Sequence, residues 1–450
     1  MTLTERSLEA TRTRLAEIVG AENVVPGDRL SAYSAFGEKP VAAVLPADEG
    51  EAAEVARLAD AEGVTVIVWG GGTKQSILPV QPRDGIVLCM ARMNSTIELD
   101  AANLTVTVGA GKVMDDLQRE LAQARLFLPL DPVDSARSTV GGTLATNSSG
   151  PNRLLYRTAR DMVLGMRVAT PQGTVVRVGG KTVKDVAGYD MKKLYIGSWG
   201  TLGAITAATF RLLPIAEASA TVAIAFPDLG QACAMVSAVL ASFMRPSTAD
   251  ILSHAALPAS MRSSFDLKPS EYLLLVQAEG AVEAVERQKR ELAELAGRNG
   301  AREIFTLDGA DEKELWRQRK EVFARMPEER PAMLIKGSVL LKKVYDFAGG
   351  LMGLQGVETA LAAHAGNGIV YGLVAAEPGQ GERLVAAADR LQQLAADCGG
   401  FALPLKAPRL EAGKMRIWPP RDDYGLMRKI KAELDPGNLW SPARVPGGRA

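Results

Sequence analysis

The chain has 450 residues, 47% of them hydrophobic and 23% charged. That length exceeds one typical core, and that apolar content excludes wholesale disorder. Fifty-two Lys and Arg balance fifty-two Asp and Glu, so bulk charge gives no reason to favour nucleic acid or anionic membrane.

Two histidines, His254 and His364, rule out any site with three histidine ligands. The cysteines, Cys89, Cys233 and Cys398, are odd in number and far apart. They allow no disulfide framework, no CxxC site and no iron–sulfur cluster held by this chain alone, and they fit a reducing compartment. No apolar run approaches the roughly 18–20 residues of a membrane span. Residues 1–20, with Glu5, Glu9 and Glu17 among the basic residues, read as an amphipathic helix rather than a targeting peptide. The expectation is a soluble, cytoplasmic protein.

In chain order, Asp48 with Glu51 has capping-box spacing and Gly63 is a helix stop, with Val55, Leu58 and Ala59 as the apolar stripe between. A β-branched strand over 64–69 runs into Gly70, Gly71 and Gly72. Strands over 86–89 and 104–108 and a helix over 112–124 follow. From 141 to 150 the chain turns small and polar. Strands over 162–169 and 174–178 meet at the turn Pro171-Gln172-Gly173. Residues 184–211 are punctuated by glycine and end as a strand before Pro214, where a domain boundary is expected. Beyond it, strands over 221–226 and 272–277 alternate with longer helices, the clearest over 282–298. A helix over 422–434 stops at Asp435-Pro436-Gly437.

Three segments carry chemistry. In the first, Gly70, Gly71, Gly72, Thr73, Lys74, Gln75 and Ser76 follow a strand. Glycines there expose successive N–H groups that can cradle a phosphate, or they form a plain glycine-rich turn. The spacing is neither GxGxxG nor a Walker A loop. The second, residues 131–150, combines Gly141 and Gly142 with the hydroxyl and amide groups of Thr143, Thr146, Asn147, Ser148 and Ser149. It suits either a large flat polar ligand or a long surface loop. In the third, Gly197, Gly200 and Gly203 space a strand–turn–strand.

Together, in this order, these segments resemble the FAD-binding domain of the vanillyl-alcohol oxidase superfamily, the PCMH-type fold. The matching motifs are VIVWGGGTKQS, LPLDP, TVGGTLATNSSGP and VKDVAGYDMKKLYIGSWGTLGAIT. The tail MRKIKAELDPGNLWSPAR resembles the closing segment of the glycolate oxidase and D-lactate dehydrogenase branch. The resemblance implies an α+β protein: a helical segment over 1–28, a two-subdomain FAD-binding domain over 29–215, an α/β cap with an antiparallel sheet over 216–412, and a helical tail over 413–450 that returns to the FAD domain. It implies that residues 70–76 hold the FAD pyrophosphate. Pro132, Gly141, Gly142, Thr146, Asn147 and Gly150 then line the ribityl chain and flavin, Gly203 to Ile205 lie near the adenosine, and Ser138 and Gly200 are further cofactor-binding positions. Some relatives attach flavin through a His in or beside the glycine loop. Thr73 stands at that position here, so non-covalent FAD is expected.

Catalytic members of the branch oxidise 2-hydroxy acids with a basic pair, a metal held by His and Glu, and a His base. The LW-x-x-R element is present as Leu315, Trp316 and Arg319, and Lys336 stands where relatives carry a second anion-binding Lys. Arg319 is either a carboxylate anchor or a surface ion-pair partner, and both cations are either substrate-binding or vestigial. The family's HAGDGNxH is here His364-Ala365-Gly366-Asn367-Gly368-Ile369-Val370-Tyr371, and the later Glu-His-Gly is missing from 401–413. One histidine without a partner makes no metal site, so no metal is expected and His364, like His254, reads as structural.

A retained flavin groove with a lost metal and base is the pattern of the E-type subunit of glycolate oxidase. The resemblance then implies a paralogous D-type flavoprotein and an iron–sulfur F-type subunit as partners, with peripheral membrane association through them. The expected function is an electron-relaying FAD subunit of a 2-hydroxy acid dehydrogenase complex. The alternatives are an autonomous FAD-dependent dehydrogenase and a non-catalytic assembly subunit.

Overall fold

The computed structural model describes residues 5–34, 40–75, 85–181, 188–324, 326–327, 329–408, 411 and 413–446. Two compact units divide the chain: Met1–Ser149, Thr158–Ile215 and Pro420–Ala450 form the first, Gly150–Arg157 and Ala216–Pro419 the second.

In the first unit, the helix Glu49–Glu62 begins and ends as its capping residues dictate. Asp48 accepts from the N–H groups of Gly50 and Glu51, and the Glu51 carboxylate accepts from Ala47 N. Gly63 closes the helix in the left-handed region at φ 66°. The chain then enters Thr65–Trp69, which joins Ala42–Val44 and Gly85–Cys89 in a parallel sheet with Gly85–Cys89 at its centre. All five residues of the central strand are buried, as expected for a parallel strand covered on both faces. A five-stranded antiparallel sheet runs in the order Thr96–Asp100, Thr105–Gly109, Ala204–Arg211, Val163–Ala169, Val175–Gly179. One apolar cluster, from Leu15 through Val66 and Phe210 to Trp440, joins the two sheets and the helix Met114–Gln123.

The C-terminal tail is tied to this unit by main-chain hydrogen bonds. Val66 N donates to Leu439 O at 2.9 Å and Ser441 N to Val66 O at 2.9 Å, which lays Trp440 beside Val66 as a parallel bridge. A buried ion pair holds the tail's bend. Lys431, at the end of the helix Tyr424–Leu434, pairs with Asp435 and also donates to Thr201 O and Trp440 O, each at 2.7 Å. Asp435 in turn accepts from Leu439 N and Trp440 N. Every charge removed from water here has its partners, which is the condition under which such a pair is tolerated.

The second unit is one eight-stranded antiparallel sheet. Its strand order is Glu303–Asp308, Ala218–Phe226, Tyr272–Gly280, Thr248–Ser253, Glu358–His364, Ile369–Ala375, Ala332–Ser338 and Phe401–Lys406. Alternation along the strands gives two apolar faces. Val222, Ile224, Leu274, Leu361 and Ile335 join the cluster that includes Val236, Leu292, Phe347 and Leu391, from four helices. Ala223, Leu252, Leu275 and Ala362 belong to the opposite cluster, with Leu315 and Trp316 of the helix Gly309–Glu321. The three cysteines are free thiols. Among the described residues no helix is long and apolar enough to cross a membrane.

Residues 141–150, which the sequence leaves open as a ligand surface or a loop, begin inside a short helix, Val140–Ala145, whose N-cap Thr139 accepts from Gly142 N. Paired glycines disfavour helix. Close packing overrides that preference, because a Cβ at Gly141 would sit 2.8 Å from the Ala110 Cβ.

Replacing Asp435 with Ala strands the Lys431 charge. The expected cost is about 3–5 kcal/mol to the first unit, read by urea unfolding, with Lys431→Met costing less because Asp435 keeps its backbone donors.

Candidate functional site

The first unit carries a cleft lined by glycines and small polar side chains. Three separate stretches of sequence build it. Gly70, Gly71, Gly72, Thr73, Lys74 and Gln75 form one wall directly after the strand Thr65–Trp69. Ser138, Gly141, Gly142 and Thr146 form a second, and Gly200, Gly203 and Ile205 a third. Ser76 lies outside the described residues, as do residues 184–187 of the KDVAGYD motif. Pro132 is buried and Asn147 sits at φ 46°, but neither lines the cleft, and Gly150 belongs to the second unit.

The glycine loop is made by backbone approach rather than by flexibility. A Cβ at Gly71 would lie 1.7 Å from the carbonyl oxygen of Arg137, and Gly72 has φ 70°. No other residue type lets the first wall close against the second in this way. Several polar side chains of the cleft are already committed. Thr146 Oγ1 donates to Gly142 O at 2.8 Å and Ser138 Oγ to Val133 O at 3.1 Å. Gln75 Nε2 donates to Val68 O at 3.0 Å.

Two further residues of this cleft lie within motifs the sequence singles out, the GSWGTLG run and the tail ending in SPAR, but were not named there as site residues. Trp199, at φ 58°, lines it one residue before Gly200. Arg444 of the C-terminal tail also lines it, 4% exposed and hydrogen-bonded to Gln75. Arg444 Nε is buried and has no acceptor among the described residues. A glycine-walled cleft with an orphaned buried cation fits a ligand that is both large and anionic. Flavin adenine dinucleotide is such a molecule.

The second unit gathers the remaining candidates. Antiparallel register puts Asp250 opposite His364 and Lys336 opposite Tyr371. The helix Gly309–Glu321 is anchored on the same sheet, with Leu315 buried and Trp316 Nε1 donating to Thr221 Oγ1 at 2.9 Å. Its next inward position is Arg319, which is 5% exposed and ion-paired through Nε with Asp250. The sequence offered a surface ion pair or a carboxylate anchor for Arg319; the pair exists and it is interior. Asp250, fully buried, also accepts from His364 Nδ1 at 2.8 Å. The His364 ring packs edge-on against Tyr371 at 5.3 Å between centroids, and Lys336 Nζ stands 5.8 Å from the Tyr371 centroid. Among the described residues no three His, Cys, Asp or Glu side chains group as metal ligands. Asp250 was missed, although an acid inside the apolar strand TADILS was a legible signal.

Electrostatics assigns the protons in this cluster. Burial alone raises the Asp250 carboxyl, but Arg319 and His364 outweigh it and hold it below the ordinary carboxylate range. Burial pulls His364 below its ordinary value; Asp250 opposes this, while Arg319 and Lys336 add to it. The imidazole is therefore neutral, with its proton on Nδ1, and its buried Nε2 has no partner among the described residues.

Comparison with known proteins places the chain by fold and then by family. Over 98% of this chain and 97% of the other, it superposes on p-cresol methylhydroxylase with a TM-score of 0.76 at 16% identity. Alkyldihydroxyacetonephosphate synthase gives a TM-score of 0.74 at 20% identity, covering 96% of this chain and 84% of that one. These share the fold, the PCMH-type flavoprotein architecture. The family model "FAD binding domain" matches residues 40–179 and "FAD linked oxidases, C-terminal domain" matches 215–402. The chain belongs to the FAD-linked oxidases, and FAD is its cofactor. Among relatives, the glycolate oxidase subunit GlcD of Bacillus subtilis is 27% identical over 96% of each chain. The D-lactate dehydrogenase of Archaeoglobus fulgidus is 29% identical over 89% of this chain and 90% of its own.

Beyond its own helix backbone and chain neighbours, a Cβ built on Gly142 meets only Thr139 Oγ1, at 3.2 Å, among the described residues, and Gly142 lines the cleft, so a larger side chain there grows into it. Gly142→Val is expected to lose bound FAD while keeping its circular dichroism spectrum; unchanged flavin content would refute this cleft as the FAD site. Because the folded His364 titrates below the unfolded value of about 6.5, the unfolded chain binds the extra proton first. Stability of the second unit should fall as pH drops below about 6.5, and the fall should be shallower in His364→Gln, measured by urea unfolding at pH 7.5 and 5.5.

Proposed function

We propose that this chain is a FAD-binding subunit of a 2-hydroxy acid dehydrogenase complex of the glycolate or D-lactate type, relaying electrons rather than oxidising the acid itself. One observation carries the reading. The groups that would bind and deprotonate a hydroxy acid are spent on each other inside the second unit. Arg319 has its guanidinium on Asp250, and an arginine whose charge is already neutralised in the interior has little left for a substrate carboxylate. His364 shares the same carboxylate, and Tyr371 stands where a second metal-binding His would be needed.

The cleft of the first unit supports retention of cofactor chemistry. FAD, when bound, supplies hydride acceptance and one-electron transfer. Main-chain donors of residues 70–75 hold its charged part, the glycines 141 and 142 let its flat part approach backbone, and Trp199 closes one side. Both histidines are in the second unit and Thr73 occupies the glycine loop, which favours non-covalent binding. Cys89, the one thiol of the first unit, is buried outside the cleft lining and burial raises its pKa, a poor nucleophile for a flavin link.

The Bacillus subtilis relative is itself described as a subunit, which supports placing this chain in an assembly. A D-type flavoprotein would supply the metal-dependent oxidation and an iron–sulfur F-type subunit the onward path, in a cytoplasmic complex attached peripherally to membrane through those partners.

Purification of the chain alone tests this. The expected product is yellow, releases FAD on acid precipitation, and is not bleached by anaerobic glycolate or D-lactate. Rapid bleaching by either acid would mean an autonomous dehydrogenase, and a colourless chain that cannot be reconstituted would mean an assembly subunit.

A further inference from the structure

Burying a cation is costly unless an anion or a full set of acceptors is buried with it. Among the described residues four Lys or Arg side chains are buried: Lys192, Arg319, Lys431 and Arg444. Lys192 lies 3.0 Å from the Asp190 carboxylate, Arg319 pairs with Asp250, and Lys431 pairs with Asp435. Arg444 is the exception. No carboxylate among the described residues reaches it, and only burial moves its pKa, down to about 10. It therefore keeps its proton at neutral pH.

The side chain is nonetheless held. Gln75 spends its Nε2 on Val68 O, which turns Oε1 toward Arg444 Nη2. The tail is fixed at Ser441 by Val66 O, and Arg444 N donates to Ser441 O at 2.9 Å. Arg444 lines the cleft, and its buried Nε has no acceptor among the described residues. An oriented, uncompensated cation in the wall of a ligand cleft calls for its anion to arrive with the ligand. Oxidised FAD carries its formal negative charge on the diphosphate; its isoalloxazine and adenine are neutral.

We propose that Arg444 is the counter-cation of the FAD diphosphate, presented by Gln75, so that the C-terminal tail completes the cofactor site. The proposal rests on the cleft being the FAD site and adds what that reading leaves out: one residue that couples closure of the tail to cofactor charge. A planar guanidinium forms charge-assisted bonds to phosphate oxygens through several N–H groups at once.

The test compares parent, Arg444→Lys and Arg444→Met, each stripped of flavin, by titration with FAD and with riboflavin and by thermal melting of the apo-protein. Arg444→Met should weaken FAD by about 10²–10³-fold while riboflavin binding changes little, and Arg444→Lys should recover part of the loss. Losing an uncompensated buried charge should also leave the apo-protein as stable as the parent or more so. An apo-protein destabilised by Arg444→Met would make the residue a structural strut and overturn the proposal. So would equal weakening of FAD and riboflavin, or FAD affinity within about threefold of the parent. A variant that keeps FAD but shifts its reduction potential would place the cation at the isoalloxazine instead, and likewise overturns it. If Gly142→Val leaves FAD binding intact, the cleft reading fails on its own, whatever Arg444 does.

Discussion

Burial of positive charge is the constraint on which the rest of this structure depends. A cation taken out of water needs a partner, and this chain resolves that need differently in its two units. Lys431 and Asp435 solve it structurally: their pair, with the carbonyls of Thr201 and Trp440, bends the tail back so that Trp440 lies along Val66. Val66 belongs to the strand that runs straight into the glycine loop. The same tail places Arg444 against Gln75. One ion pair thus holds in register a strand, the loop that follows it and the cation that faces the cleft.

In the second unit the same need is met in a way that bears on chemistry. Asp250 is an acid in the middle of a sheet, and it is stable there because Arg319 and His364 converge on it from a helix and from the neighbouring strand. Pairing makes the cluster compatible with the interior and removes its members from other work. His364 stays neutral because burial outweighs the pull of Asp250, and the nearby charges of Arg319 and Lys336 add to that. The proposed division of labour, a retained cofactor cleft in one unit and a silent acid-oxidising apparatus in the other, is supported by which charges are satisfied internally and which are left for a ligand.

Local signals were legible where the chain's own neighbours decide the outcome. Asp48, Glu51 and Gly63 bounded a helix that forms as written, and the β-branched run after it became a strand ending at the glycine loop. The α+β class and the FAD-linked oxidase family followed from the glycine-rich motifs together with the tail. Residues 141–150 were legible as important but not in form, because a helix through Gly141 and Gly142 depends on Ala110 packing where no side chain could fit. Arg319 was visible as a candidate cation, yet its partner, 69 residues earlier in sequence, was not.

The sequence by itself determined the cofactor class, the glycine positions that permit close backbone approach, and the shortage of histidine that limits metal chemistry. The first follows from the resemblance of the glycine-rich motifs to a known family, the others from composition and local sequence. Tertiary structure alone decided that Asp250 neutralises Arg319, that Gln75 serves as a strut rather than a free ligand donor, and that Arg444 reaches the cleft from 369 residues away. The physical reason is that charge satisfaction is a property of the folded interior. Whether a buried cation is paired or waiting for an anion depends on which distant side chain the fold brings beside it, and no local pattern encodes that.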